Sequence, residues 1–403
     1  MSNNHGRKIG VATATIIGMN AMIGSGIFTA PATMAANVGP AGILAYVFVV
    51  AAVWCMAQSL ARLAYLFPQE GSFYVYAKQW GGHNIGIMAS GAYFIGLLIA
   101  MGLLSQMSGQ YLHSYFPSLS GYLLGLICLG VLVFINMFGV GLSTLGQHIL
   151  IVCTLFPLIA TTIMCFTKMN ISYLTPFAPF GFGNVLQATR VVVFGFFGFE
   201  CTASLFNIVH LPEKNVPKAL TYSILIVGGI YTLFVGSIIL STPLWLFTDP
   251  RIPLSQTLKF IFPEHPWLIS SIHFAILSAI VGTVHSMLWS SSHLLALLMK
   301  KFKNDTIQKL VARNFFNTQT CVAIVGLAIC ASYVSLKNTN LFFCLTALFT
   351  VSAYIKSMIT LLTIPAEWHS GRNIVCVLGI ITASMIFIFA AQGLIQELSV
   401  LSK

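Results

Sequence analysis

Two clusters of residues in this 403-residue chain are placed to do chemistry. Gly24-Ser25-Gly26 interrupts one apolar run, and Phe194-Gly195-Phe196-Phe197-Gly198-Phe199-Glu200 interrupts another. Glycine costs about 1 kcal/mol in a helix interior relative to alanine. Two glycines around a serine, or two among phenylalanines, therefore invite local unwinding. Unwound backbone presents N–H and C=O groups. The start of a helical segment carries partial positive charge and suits a carboxylate; carbonyls released at the end of one suit an ammonium group. A small solute with both groups is an amino acid. Small residues also let membrane helices pack closely, and for Gly24-Ser25-Gly26 alone that reading is as good. Two interruptions, one of them beside a carboxylate, weigh toward unwinding.

Other reactive groups are few. Glu200 is the acidic residue that lies deep in an apolar run. An isolated carboxylate there is costly, so it reads as a proton site or gate, or as an acceptor that holds the broken segment in shape. Both roles can hold together. His285, Trp289 and His293 recur every four residues and share one helix face. They line a pathway or are satisfied inside a bundle, and the second reading is favoured for the histidines. Lys356 either snorkels to an interface or stands in for a coupling cation. The nine cysteines form no CxxC pair and the ten histidines no HExxH pattern, so no metal site, cofactor or disulfide framework is expected. A Walker A motif is lacking, and one buried glutamate does not supply the converging groups of an active site. The chain is not expected to be an enzyme.

The elements that must position these groups are set by composition. Hydrophobic residues make up 57% of the chain and charged residues 7%, against about 25% charged in a soluble domain. The mean hydropathy is +0.90. Such a chain must face lipid. The formal charge of +11 comes from residues lying mostly between apolar runs, where they set topology rather than bind nucleic acid. A spanning helix needs roughly 20 apolar residues, and such windows fall near 9–36, 41–66, 85–112, 121–139, 147–166, 185–210, 219–241, 268–299, 318–335, 341–363 and 374–396. The fold class expected is an all-α integral membrane protein with about 11 transmembrane helices. The excess of Lys and Arg in alternate loops, among them Arg62, Lys78, Lys214, Lys218, Lys300, Lys301 and Lys309, places the N-terminus in the cytoplasm. The run after Lys8 carries Asn20 and ends without a cleavage pattern, so it is expected to stay in the mature protein. Residues 300–317 are basic and partly amphipathic and read as an interfacial helix.

The interruptions lie in the first and sixth spans. That spacing is expected of two five-helix repeats of inverted topology, each opening with a discontinuous helix. The chain then reads as one transmembrane domain over 1–403. Repeat 1 covers about 9–166, repeat 2 about 185–363, and an extra helix about 374–396.

Three segments carry a resemblance to a known family. They are IIGMNAMIGSGIFTAPATMAANVGPAG, FPQEGSFYVYAKQWGG and VFGFFGFECTASLFNIVHLPEKNVPKAL. In this order they resemble the opening helix, first inner loop and sixth helix of the amino acid–polyamine–organocation transporters, over about residues 8–300. Within that superfamily the chain is most similar to the arginine/agmatine antiporter branch, as HSYFPSLSG and the position of Trp289 also suggest. The resemblance implies a substrate carboxylate on the backbone of Gly24, Ser25 and Gly26, and an α-ammonium on carbonyls near Ile23 and Phe194 to Phe197, with Phe196 among them. It implies an aromatic gate at Phe194, proton sensing at Glu200, and cation–π contact from Trp289. Leu97 and Ala21 stand where that branch has asparagines, and Phe194 where it has a tryptophan. A twelfth helix is not found.

The reading reached is a secondary active amino acid transporter in the cell membrane (inner or plasma), working by alternating access. Exchange of an amino acid for another or for its amine comes first, proton-coupled symport second. A non-transporting amino acid sensor is the alternative from another class. The expected partners are a small amino acid or amine, protons, the bilayer, and a second copy in a homodimer.

Overall fold

The apolar windows fold as helices because in lipid a backbone must satisfy its own hydrogen bonds, and a helix does so within one segment. The computed structural model describes residues 8–24, 26–69, 71–113, 115–137, 143–205, 209–247, 254–336, 338–364 and 373–401. Its helices are α1 (Val11–Met22), α2 (Gly26–Asn37), α3 (Gly42–Leu66), α4 (Ser72–His113), α5 (Gly121–Met137), α6 (Ser143–Thr167), α7 (Phe182–Phe194), α8 (Pro212–Ser241), α9 (Leu254–Ile261), α10 (Pro266–Lys301), α11 (Asp305–Ala312), α12 (Thr318–Ser335), α13 (Thr339–Thr363) and α14 (Asn373–Leu401). Among the described residues, nine helical stretches are long and apolar enough to cross a membrane. The broken pair α1–α2 and the shorter α5 bring the crossings to about eleven, as expected. Residues 138–142, between α5 and α6, lie outside the described residues.

The packing repeats itself. α3 pairs with α8, α4 with α10 and α5 with α12. α4 lies on α13 as α10 lies on α6, and α1 on α8 as α7 lies on α3. Exchanging the first five spans for the second five leaves the first three contacts as they are and turns each of the others into its counterpart. Five crossings are an odd number, so the second copy enters the membrane from the opposite side. The fold is a five-plus-five inverted repeat followed by α14.

Outward faces are apolar. Val152, Phe156 and Ile163 on α6 are each at least 60% exposed, and Ile374, Ile381, Ile388 and Ile395 form a stripe along α14. Exposed stripes of this length belong against lipid. Small residues close the interior: a Cβ on Gly109 of α4 would collide with the Gly121 carbonyl and Gly125 of α5. Asparagines cap three helices. Asn304 accepts from the Thr306 and Ile307 N–H groups, Asn317 from Thr320 and Asn338 from Asn340, which satisfies donors that a helix start leaves open.

Two regions differ from the sequence reading. Residues 72–81, read as an inner loop, form the first limb of α4, which bends at Gly82 (φ 70°). This limb is fastened to α13: Trp80 donates to the Lys356 carbonyl at 2.7 Å and Thr360 donates to the Tyr76 carbonyl at 2.6 Å. Its aromatic and polar residues hid it, because they form no continuous apolar run. The short helix α9 was missed for the same reason. Within residues 300–317, where an interfacial helix was expected, α11 forms over Asp305–Ala312, and none of its residues is buried.

Candidate functional site

α1 stops at Met22 and α2 starts at Gly26. Between them the Ile23 N–H donates to the Met19 carbonyl at 2.8 Å and the Gly24 N–H to the Met22 carbonyl at 2.9 Å. Neighbouring helices supply the remaining partners. The Thr283 hydroxyl of α10 reaches the carbonyls of both Asn20 (2.9 Å) and Ile23 (3.1 Å). One hydroxyl has one proton, so the two carbonyls share it. The Tyr231 hydroxyl of α8 donates to the Met22 carbonyl at 3.2 Å. A gap in a mid-bundle helix is tolerated because these side chains take up its polar groups.

The second break is built differently. α7 ends at Phe194 and the chain tightens into successive three-residue turns. The N–H groups of Gly195, Phe196, Phe197 and Cys201 each donate to the carbonyl three residues back. A 3₁₀ helix follows over Phe199–Leu205. Gly198 has φ +109°, and a Cβ there would collide with the Ala21 carbonyl oxygen. The two interrupted helices thus cross with only a glycine hydrogen between their backbones. Glu200 is 2% exposed, and its Oε2 accepts the Gly198 N–H at 3.1 Å. Tyr93 of α4 and Tyr354 of α13 lie beside this carboxyl group, with the Tyr93 hydroxyl 3.7 Å from the Cys201 sulfur. Oε1 of Glu200 and the Tyr354 hydroxyl make no hydrogen bond among the described residues.

A cavity lies between the two breaks. Its walls are Met22, Gly24 and Gly26 from the first, Phe194, Gly195 and Phe197 from the second, Ala100 and Leu104 from α4, and Thr283 and Met287 from α10. It measures about 10 Å³, roughly the room of one water molecule. Phe194 closes it, packed edge-on against Phe197 (6.2 Å) and Phe343 of α13 (4.7 Å).

The structure therefore brings together Gly24, Gly26, Phe194 and Phe197, with the Ile23 carbonyl behind them. Ser25 lies outside the described residues. Phe196 points away, buried against Tyr231 at 5.2 Å. Glu200 stands beyond the cavity wall, under the crossing. Trp289 is not brought to the cavity: it sits about 200° around α10 from Met287, half-buried against His293 at 4.6 Å. His285 shares that face and meets the Asn136 side chain at 2.9 Å, a satisfied bundle histidine. Thr283 and Tyr231 escaped the sequence reading. The available signal was a tyrosine in mid-span, whose hydroxyl needs a partner when buried. The nine cysteines form no disulfide, and no group of three metal-ligating side chains occurs among the described residues.

Two crossing discontinuous helices around a buried midpoint, inside an inverted repeat, are an arrangement that many secondary transporter folds share. The chain belongs to the amino acid permease family, whose model matches residues 13–396. It is 26% identical over 56% of its length to the uncharacterized amino acid permease YecA of Bacillus subtilis, and 24% identical over 56% to the branched-chain amino acid permease BcaP of the same organism. These matches span 54% and 53% of those relatives, so the chain covers about half the length of each. Among solved structures it is similar to MhsT in complex with L-phenylalanine. That likeness has a TM-score of 0.65, covers 95% of this chain and 98% of the other, and carries 16% identity; it is a likeness of fold. The arginine/agmatine branch is not singled out by these relatives.

Proposed function

We propose that this protein is a secondary amino acid transporter that works by alternating access about the cavity between the two breaks. The observation that carries the reading is the lining itself, which joins backbone of both breaks, Gly24 and Gly26 with Phe194 and Gly195, at one point. The start of α2 offers partial positive charge to an α-carboxylate, and the end of α7 partial negative charge to an α-ammonium. A space of about 10 Å³ does not hold an amino acid, so this arrangement is a closed one. Phe194 and Phe197 must swing, or α10 must draw back from the first break, for substrate to enter.

The rest of the wall is Met22, Ala100, Leu104, Phe197 and Met287, with Thr283, whose hydroxyl is engaged with the Asn20 and Ile23 carbonyls. An apolar wall supports an aliphatic or aromatic side chain rather than a guanidinium. The named function of the branched-chain relative and the phenylalanine held by MhsT agree with that choice. The protein is proposed to lie in the cell membrane with its N-terminus in the cytoplasm, following the distribution of Lys and Arg. Exchange of one amino acid for another is the first mode. Proton-coupled symport is the second, favoured by Glu200, buried where the two broken helices cross.

Counterflow in proteoliposomes tests both. Vesicles are loaded with leucine, phenylalanine, arginine or agmatine, and uptake of each labelled amino acid is followed at two pH values. Uptake only with a partner inside establishes exchange, and the effective partner names the pair. Uptake into unloaded vesicles under an acid-outside gradient establishes symport. Absence of uptake despite correct insertion overturns the transport reading in favour of a sensor.

A further inference from the structure

A second cavity, of about 360 Å³, opens on the flank of the bundle where the end of α3 meets the start of α8. It shares no lining residue with the cavity between the breaks. Its polar walls are Gln58, Arg62 and Tyr65 from α3 and Lys218, Thr221 and Tyr222 from α8, with no acidic residue among the described lining groups. The Arg62 guanidinium lies 5.4 Å from the centre of the Tyr65 ring. The floor is tied across the two helices: Gln58 donates to the Thr221 hydroxyl at 3.0 Å, and that hydroxyl to the Pro217 carbonyl at 2.9 Å. Two cations on a rigid polar floor, flanked by two half-exposed tyrosines, form a receptor for a phosphate group.

What lies next to the cavity decides which phosphate. Along α3 the outward stripe continues from Gln58 to Trp54, Ala51, Val47 and Leu44, and along α8 from Tyr222 to Leu225, Gly229 and Leu233. These are apolar, and Val47, Leu225 and Leu233 are at least half exposed. Val50 of α3 touches Gly228 of α8 as Gln58 touches Thr221, so the helices run antiparallel and both polar ends fall on the same side. From Tyr222 to Leu233 the helix rises about 16 Å, close to half of a hydrocarbon core of about 30 Å. The polar cavity thus sits at the head of an apolar track one leaflet deep, with tyrosines at headgroup level.

We propose that the α3–α8 cavity binds the phosphate of an anionic phospholipid whose acyl chains lie along the track. Arg62 and Lys218 neutralise the headgroup, Tyr65 and Tyr222 flank it, and the lipid bridges the two helices that pair across the pseudo-symmetry. The proposal is independent of what the transporter carries.

The test is native mass spectrometry of the purified full chain in detergent, titrated with phosphatidylglycerol, with phosphatidylcholine, or with inorganic phosphate as competitor. Wild type is expected to retain phosphatidylglycerol over phosphatidylcholine. Arg62→Gln/Lys218→Gln is expected to lose roughly thirtyfold in that retention, from about 1 kcal/mol per basic residue near a headgroup. Lys303→Gln/Lys309→Gln, with the same charge change on exposed residues at α11, is expected to bind as wild type does. Lys218→Glu alters one exposed side chain and is read if the double variant fails to fold; it too must weaken phosphatidylglycerol. Equal retention by the pocket and α11 variants overturns the proposal. So does equal binding of phosphatidylcholine, and so does displacement of the lipid by millimolar inorganic phosphate, which would make the ligand a soluble one.

Discussion

The two breaks occupy equivalent places in the two repeats and are held by different means. The first is a clean gap between two α-helices, and its carbonyls are capped from outside by Thr283 of α10 and Tyr231 of α8. Both caps come from the second repeat. The second break is a gradual tightening into turns and a 3₁₀ segment, held from within by Glu200 on the Gly198 N–H. An inverted repeat reproduces topology, not chemistry. One break has outside partners that must be released if α10 moves, and the other carries its own ionisable latch.

That contrast can be broken most severely where the breaks touch. Gly198→Val is expected to prevent folding. A left-handed backbone costs a β-branched residue about 1–3 kcal/mol, and its Cβ would also strike the Ala21 carbonyl. Loss of the monodisperse peak in detergent chromatography checks this, and a stable, active variant would mean the helices do not cross as described. Gly26→Val comes next. The nearest atoms to a Cβ at Gly26 are 3.6 Å away, on Gly195 and Phe194, so alanine fits while valine fills the cavity. Valine should abolish substrate binding with insertion intact, and normal affinity would remove the proposed site.

Smaller effects sharpen the difference between an outside cap and an inside latch. Glu200→Gln keeps an acceptor for the Gly198 N–H but cannot ionise, so folding should survive while the pH dependence of transport flattens. An unchanged pH profile would leave Glu200 a purely structural latch. Thr283→Val removes one shared donor at the cost of about 1–3 kcal/mol for carbonyls left unpaired. It should lower the melting temperature and loosen substrate affinity; if neither moves, the cap is not holding the first break closed. Least of all, Trp289→Leu should alter uptake of cationic and neutral substrates alike, because the indole packs against His293 away from the cavity. A selective loss for arginine would return it to the pathway.

Much of this architecture was legible in the residues themselves. Lipid tolerates so few backbone arrangements that apolar runs become helices almost without alternatives, and α3, α10, α12 and α13 fall within a few residues of their windows. The glycine-rich interruptions were equally readable, since Gly24, Gly26, Gly195 and Gly198 weaken a helix wherever it sits. The first limb of α4 was not, because its residues are satisfied by α13 rather than by an apolar run of their own.

The distinction holds at the site as well. The chain by itself determined that it crosses a membrane about eleven times, that its first and sixth spans break, and that one carboxylate is buried beside a break. Those properties are local, set by transfer free energy and helix propensity along a single segment. Only the tertiary structure decided that Thr283 and Tyr231 cap the first break, that Gly198 meets Ala21, that Phe194 and Phe197 close the cavity while Phe196 and Trp289 face elsewhere, and that Arg62 and Lys218 share a pocket. Each of these depends on the rotation of one helix about its axis against another. That rotation is settled by packing between residues far apart in the chain, which spacing along the chain does not record.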